Sequence, residues 1–340
     1  MQPLRSEYAA SLDKNEARAS RYGAFDFFKE DTKRTGGILD ADTINNIKRS
    51  FGNSVVVPVL DGGDVTIGNV RSCAIADDEN TSQLVTLTFV TYAFGFTMHT
   101  AQYTNNDIKY QTDFTRKLKK YLNKLAATLD TAAINKLEAN KNAFWTSLTD
   151  YYPQTAGAMQ ITQAQKGDFY NKLQAIMETA DFYGDIKVIK STSGSPMVRR
   201  LSAQGAGNDE NDSFQFGPYE WMWSNRIGNG AGVEATGYAV ESGNVAFETR
   251  LDPDALAGHR IGDVSEWGVV NVPLPGSPNS IEMGTFYRKD CNDSSGISTG
   301  LTRTLKESFE WSMDAMYLTS YNRDTVNRYN PIVKFEITTA

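Results

Sequence analysis

Few side chains in this sequence are spaced for covalent chemistry. His99 and His259 sit in unrelated contexts, so a histidine metal site or a Ser-His-Asp relay has little to build on. Gly228-Asn229-Gly230-Ala231-Gly232 is glycine-rich. It lacks the Gly-x-Gly-x-x-Gly spacing, and no Lys-Ser/Thr follows as a phosphate loop requires, so a turn is the plainer reading. Asn208-Asp209-Glu210-Asn211-Asp212 offers enough oxygens to hold calcium. It has neither the loop glycine nor the distal glutamate of an EF-hand, and reads as a solvated loop. Asp252 and Asp254 flank Pro253 in a turn without a visible partner acid. Cys73 and Cys291 are far apart and lack a metal-like spacing; they read as free buried thiols, with a disulfide geometrically open. These patterns predict no active site, no metal and no cofactor.

One set of residues differs in kind. Arg116, Lys120 and Lys124 recur at i, i+4 and i+8, which puts them on one side of a helix. Phe114, Leu118, Leu122, Leu125, Leu129 and Ala133 fall within roughly 100° of one another on the other side. Such a basic row is either an ordinary solvated face or a surface that meets a polyanion, touching phosphates without reading sequence. Charge is segregated along the chain. From Asp113 to Asn142 seven Lys/Arg stand against three acids, a net of +4, and from Ala203 to Met283 twelve acids stand against three arginines, a net of −9. A basic side and an acidic side are expected.

The helix that carries the row is predicted from Asp113 to about Trp145, with Asp113 suited to its N-terminus. Before it lies a long apolar alternation. Val65–Ala76 and Leu84–Phe96 read as strands flanking an acidic tip, Asp77-Asp78-Glu79-Asn80. At about 3.3 Å per residue they form an arm of roughly 40 Å. An isolated two-stranded ribbon is marginal in water, so something outside the subunit is expected to cover it. Val65, Ile67, Asp77, Asp78, Leu87 and Phe89 are the expected inter-subunit residues of this arm.

Elsewhere the reading is coarser. Residues 1–52 form a polar leader with scattered aromatics, either an arm that orders against neighbours or a helix docked on its own domain. Within it, Ser11–Gly23 and Asp42–Phe51 have helical pattern. Val55–Leu60 is a β-branched run ending at Asp61-Gly62-Gly63-Asp64, a turn signal. Thr162–Ala180 reads as a helix, Asp185–Lys190 as a short buried strand, and Ser195–Gln204 as a helix starting at Ser195-Pro196. Short strands follow at Phe214–Trp223, Gly237–Val240, Val245–Glu248, Trp267–Val272 and Glu282–Arg288. Leu301–Tyr321 fits helix or strand, and Pro331–Thr339 a closing strand.

With 340 residues, 40% hydrophobic and 22% charged, the chain is long enough to bury a large core. Its net charge of −7 argues against a dedicated nucleic-acid binder of the isolated, tight sort. No apolar run approaches the ~20 residues of a membrane span. The start, Met1-Gln2-Pro3-Leu4-Arg5-Ser6-Glu7, lacks the apolar core of a secretion signal, so folding in the cytoplasm is expected.

The order of these elements resembles the major capsid protein of tailed bacteriophages, the Hong Kong 97-like fold. Thr88-Phe89-Val90-Thr91-Tyr92-Ala93-Phe94-Gly95-Phe96 entering Asp113–Asn142 resembles that family's extended loop running into its spine helix. Thr236-Gly237-Tyr238-Ala239-Val240-Glu241-Ser242-Gly243-Asn244-Val245-Ala246 is similar to a strand–turn–strand of its central domain, and Tyr321-Asn322 through Pro331-Ile332-Val333-Lys334-Phe335-Glu336-Ile337 to its closing strands. The resemblance covers nearly the whole chain and is one of topology rather than of an invariant motif.

It implies an α+β architecture. Residues 1–54 would be an N-terminal arm and 55–104 an extended hairpin loop. Residues 105–165 would form the spine helix and peripheral domain, completed by 301–340, and 166–300 the central domain. It further implies a structural subunit without enzymatic activity, assembled in the bacterial host cytoplasm. The subunits would form hexamers and pentamers of an icosahedral head around double-stranded DNA. The extended loop would lie over a neighbour and the basic helix would face the genome. With a chain that begins at Met1 and no cleaved prodomain, a separate scaffold protein is implied, together with a portal and decoration proteins, and no membrane. The family's lysine–asparagine crosslink cannot be carried over to a residue pair. Two other readings compete: an encapsulin-like compartment shell, and a β-rich glycan-binding module suggested by Trp221, Trp223 and Trp267.

Overall fold

The computed structural model describes residues 22–32, 45–46, 54–60, 82–103, 109–142, 152–179, 182–194, 219–262, 264–292, 304–320 and 330–339. In chain order these form α1 (Gly23–Asp31), β1 (Ser54–Leu60), β2 (Ser82–Thr88), β3 (Val90–His99), α2 (Tyr110–Ala139), β4 (Gln154–Thr155), β5 (Ala158–Ile161), α3 (Lys166–Glu178), β6 (Ile186–Ser191) and β7 (Glu220–Ser224). Then come β8 (Val233–Glu241), β9 (Val245–Arg250), α4 (Pro253–Ala257), β10 (Arg260–Ile261), β11 (Ser265–Pro273), β12 (Ser280–Asn292), β13 (Thr304–Thr319) and β14 (Ile332–Thr338).

Among the described residues the strands make three sheets. β1 and β2 pair only with each other. A six-stranded sheet runs β10-β11-β12-β13-β3, with β9 joined to the far end of β13. A second six-stranded sheet runs β4-β5-β14-β8-β6-β7. The ambiguous stretch after residue 300 is therefore strand. Its alternation decides this: Trp311, Met313 and Ala315 point into the core while Ser312 and Asp314 are only partly buried.

α2 spans 30 residues, about 45 Å at 1.5 Å per residue. Its buried stripe is Phe114, Leu122, Leu125, Ala126, Leu129, Ala133, Ile134 and Leu137, with Leu118 partly buried beside it. It ends at Ala139 rather than near Trp145: Asn140 leaves helical geometry at φ −113°, and its backbone N–H and side-chain amide both donate to the Lys136 carbonyl, at 3.2 and 2.9 Å. The stripe packs on the first sheet through stacked and edge-on rings. Phe96 and Phe114 lie 5.2 Å apart, and Phe114 and Phe309 4.9 Å. α3 covers the second sheet, with Phe169 4.9 Å from Phe335. Gly237 is required there: a Cβ at that position would stand 2.4 Å from the Phe335 ring. Tyr238 on β8 donates to Glu138 on α2 at 2.5 Å and ties the second sheet to the long helix.

Two expectations need correction. Gly23 begins a helix instead of ending one, and that helix is part of the subunit's own core. Phe25, Phe27 and Phe28 are fully buried, with Phe25 5.2 Å from Phe247 and Phe28 5.1 Å from Tyr317. For this stretch the docked alternative holds, because three phenylalanines in four residues carry enough apolar area to repay ordering. Residues 1–21, 33–44 and 47–53 lie outside the described residues. The second correction concerns the hairpin. β2 pairs with Ser54–Leu60, from Ser54↔Thr88 to Leu60↔Ser82, so the β-branched run before the turn signal forms the arm. The expected strand Val65–Ala76 lies outside the described residues, as do the expected helix Ser195–Gln204 and most of Asp42–Phe51.

Candidate assembly surface

The apolar stretch expected to form one strand of the arm divides at Phe89. Beyond it, β3 pairs residue by residue with β13, Phe96 opposite Phe309 and Phe94 opposite Trp311. Phe96 and Met98 are buried beneath α2. That half is sealed within the subunit, contrary to expectation, because β13 supplies its hydrogen bonds and α2 covers its apolar face.

The other half is left open. On β1 and β2, Val56 is 52% exposed and Leu84 68% exposed. Among the described residues, the root of the ribbon is anchored. Phe89 is buried with Ala246, Met316 and Leu318, and Val55 and Leu87 pack partly against that cluster. The Arg250 guanidinium sits 4.6 Å from the centre of the Phe89 ring and pairs with Asp314 at 2.9 Å, while the Thr91 hydroxyl donates to Asp314 at 2.7 Å. Of the residues expected at an inter-subunit contact, Leu87 is half-buried and Phe89 is sealed in its own chain. Val65, Ile67, Asp77 and Asp78 lie outside the described residues.

The basic row is placed as the spacing predicts: Arg116, Lys120 and Lys124 are all exposed on α2. Its first member is already engaged. Asp113 pairs with Arg116 at 2.9 Å and Lys117 at 3.2 Å, and accepts the Tyr103 hydroxyl at 2.6 Å. The Tyr103 hydrogen bond, aided against burial by the two cations, holds the Asp113 carboxyl down at about 2. Lys117 also donates to the Thr97 carbonyl on β3 at 3.4 Å. Arg116, Lys117 and Lys120 thereby line one side of a groove of about 900 Å³ that runs over Ala93, Gly95 and Phe309.

A second carboxylate on α2 has the opposite character. Asp130 is fully buried at mid-helix and accepts the backbone N–H groups of Ala24 and Phe25, each at 3.1 Å, together with the Ser224 hydroxyl. Tyr22 gives α1 no side-chain cap, so Asp130 caps that helix from a distant element. Burial pushes its pKa up to about 6, against the lowering effect of the Ser224 and Phe25 hydrogen bonds. No local pattern could have revealed it: donor and acceptor are more than a hundred positions apart.

The other candidates do not converge. His259 lies 3.7 Å from Asp254 at the surface, and His99 ends β3. Asp252 is the N-cap of α4, accepting the Asp254 N–H at 3.0 Å. Gly228–Gly232 is the turn entering β8, with Gly232 at φ +74°. Trp221 packs against the second core and, with Trp223, flanks the Lys190 ammonium, 4.2 and 4.5 Å from the ring centres, while Trp267 packs on Phe286, so the three tryptophans form no shared platform. Among the described residues no group of three or more His, Cys, Asp or Glu could hold a metal, and no helix is long and apolar enough to cross a membrane. Asn208–Asp212 lies outside them.

No protein-family model matches the sequence, and no curated protein matches it. Solved structures do. A chain of the cyanophage A-1(L) capsid asymmetric unit aligns with a TM-score of 0.54 at 11% identity, covering 96% of this chain and 95% of that one. A chain from Mycobacterium phage Che8 gives 0.49 at 11% identity over 87% and 88%, and one from Mycobacterium phage Bobi 0.45 at 14% over 96% and 94%. Of these three, the cyanophage chain is similar enough to assign the fold. The chain has the α+β fold of a phage capsid protein.

Proposed function

We propose that the chain is the structural subunit of a tailed-phage head, self-assembling as hexamers and pentamers into a closed icosahedral shell around double-stranded DNA. The observation that carries this reading is the uncovered β1–β2 ribbon, with Val56 and Leu84 more than half exposed on a subunit of capsid fold. A short two-stranded ribbon gains too little from its own pairing to leave such side chains in water. Copies of the same chain can cover it, and closure lets many modest contacts add up.

In this reading the basic face of α2 looks toward the packaged DNA. Lys120 and Lys124 are its stronger pair, since Arg116 already shares Asp113. Contacts of this kind position the genome and carry no sequence preference. A separate scaffold, a portal and decoration proteins would complete the particle.

Electron microscopy of purified protein, paired with a nucleic-acid assay of the same fractions, tests the proposal. Closed particles that retain double-stranded DNA support it. Particles that enclose only protein would favour a compartment shell, and a glycan-binding monomer at every concentration would remove the shell reading.

A further inference from the structure

β6 carries two buried lysines, three residues apart and so on opposite faces of the second sheet. Lys187 is met by carboxylates, Glu220 at 2.9 Å and Glu30 at 3.5 Å. Lys190 is met by none. Its Nζ is buried without a hydrogen-bond partner. It lies over three aromatic rings instead, Trp221 at 4.2 Å and Trp223 at 4.5 Å on β7, and Tyr170 at 5.2 Å on α3. Ring faces attract a cation, but an ammonium taken out of water without a carboxylate is held at a cost.

The stem of the side chain is as closely set as its head. Lys190 stands opposite Trp223 on one neighbouring strand and Gly237 on the other, and a Cβ on Gly194 would come within 3.5 Å of its Cδ. The charged groups on the surrounding elements are engaged elsewhere. Glu220 on β7 pairs with Lys187. Glu234 on β8, which acts on Tyr170, is held by Gln163 and by Lys166 at 3.8 Å. Burial therefore pushes the Lys190 amine well below the ordinary lysine range, with no acid to oppose it. β7 is the outer strand of its sheet among the described residues, so the cage fastens an edge strand to the helix that covers the sheet.

We infer that Lys190 is a proton-operated pin between β7 and α3: the neutral amine lets the ring cage close, and a proton favours a state in which β7 lifts from α3 and the ammonium reaches water. In the lifted state the amine has the ordinary lysine pKa of about 10.4, and in the cage a lower one. Its contribution to closure is fully present above about pH 10.4 and is lost as pH falls through the lowered value. The ring faces favour the charged form and so work against that loss. The pin acts within one subunit and stands whether or not copies assemble.

Acrylamide quenching of tryptophan fluorescence and urea unfolding of the dilute subunit test it, from about pH 10 down through neutrality. In the wild type, quenching should rise as pH falls, because Trp221 and Trp223 become accessible together. Lys190→Met should remove that rise. It should also unfold at a higher urea midpoint than the wild type near neutral pH, with the advantage shrinking toward about pH 10. Trp223→Leu keeps the amine but removes one ring face, and should move the transition in the urea midpoint to lower pH. A wild type whose quenching is level across the range overturns the inference, as does a rise that persists in Lys190→Met. Should Lys190→Met fail to fold, Trp223→Leu decides alone: a transition that stays in place or moves to higher pH overturns the inference.

Discussion

Residues 82–88 and 90–99 carry similar alternations of apolar and polar side chains and meet at Phe89, yet they end in opposite environments. The second segment has β13 along one edge and α2 over its apolar face, so Phe96 and Met98 are buried. Among the described residues the first has only β1, and Leu84 stands in water. Each segment is hydrogen-bonded to a neighbouring strand along one edge. What differs is who covers the apolar side, and alternation alone does not specify the cover. A segment finished by its own chain contributes to folding; one left unfinished is, in the proposed function, where copies meet.

That contrast can be broken first at its sealed half. Phe96→Ala should cost about 3–5 kcal/mol of folding stability, the usual loss for a buried phenylalanine, read as a lower urea midpoint of the unassembled subunit. A variant that unfolds at the wild-type midpoint would mean that the β3–α2 interface is not a core. Asp130→Ala should cost about 1–3 kcal/mol, because it leaves the α1 N–H groups and the Ser224 hydroxyl buried without their acceptor. The same measurement checks it.

The two carboxylates of α2 sharpen the comparison through pH. Asp130, raised to about 6, contributes stability that is fully present below its unfolded pKa near 4 and is lost as pH rises through 6. Asp113, lowered to about 2, contributes stability present above about 4 and lost as pH falls through 2. Asp130→Asn should therefore flatten the stability profile between about pH 4 and 6, and Asp113→Asn below about pH 4. If neither variant changes its window, the two environments are misassigned. The smallest effect on folding belongs to the open half. Leu84→Ser should shift stability by about 0.5 kcal/mol or less, as exposed sites do, yet lower particle yield.

The long helix, the short strands after residue 219 and the closing strand were legible because each repeats its apolar residues at the period of its own backbone. So was the exposure of Arg116, Lys120 and Lys124, which follows from helical angle alone. The partner of each strand was not legible. Val55–Leu60 and Val65–Ala76 have comparable β-branched patterns, and register between distant segments is set by the three-dimensional core. The placement of α1 was half visible: Phe25, Phe27 and Phe28 signalled burial, but the Asp130 cap that fixes the helix lies far along the chain. Asp130 in a helix otherwise apolar on that side was the available clue.

The most direct measurement compares sedimentation and electron microscopy of the wild-type protein with a variant in which residues 54–88 are replaced by a short Gly-Ser linker. That cut spares β3 and with it the core. The account predicts closed particles for the wild type and a folded subunit without shells for the variant. A linker variant that builds particles of normal size and stability would contradict it.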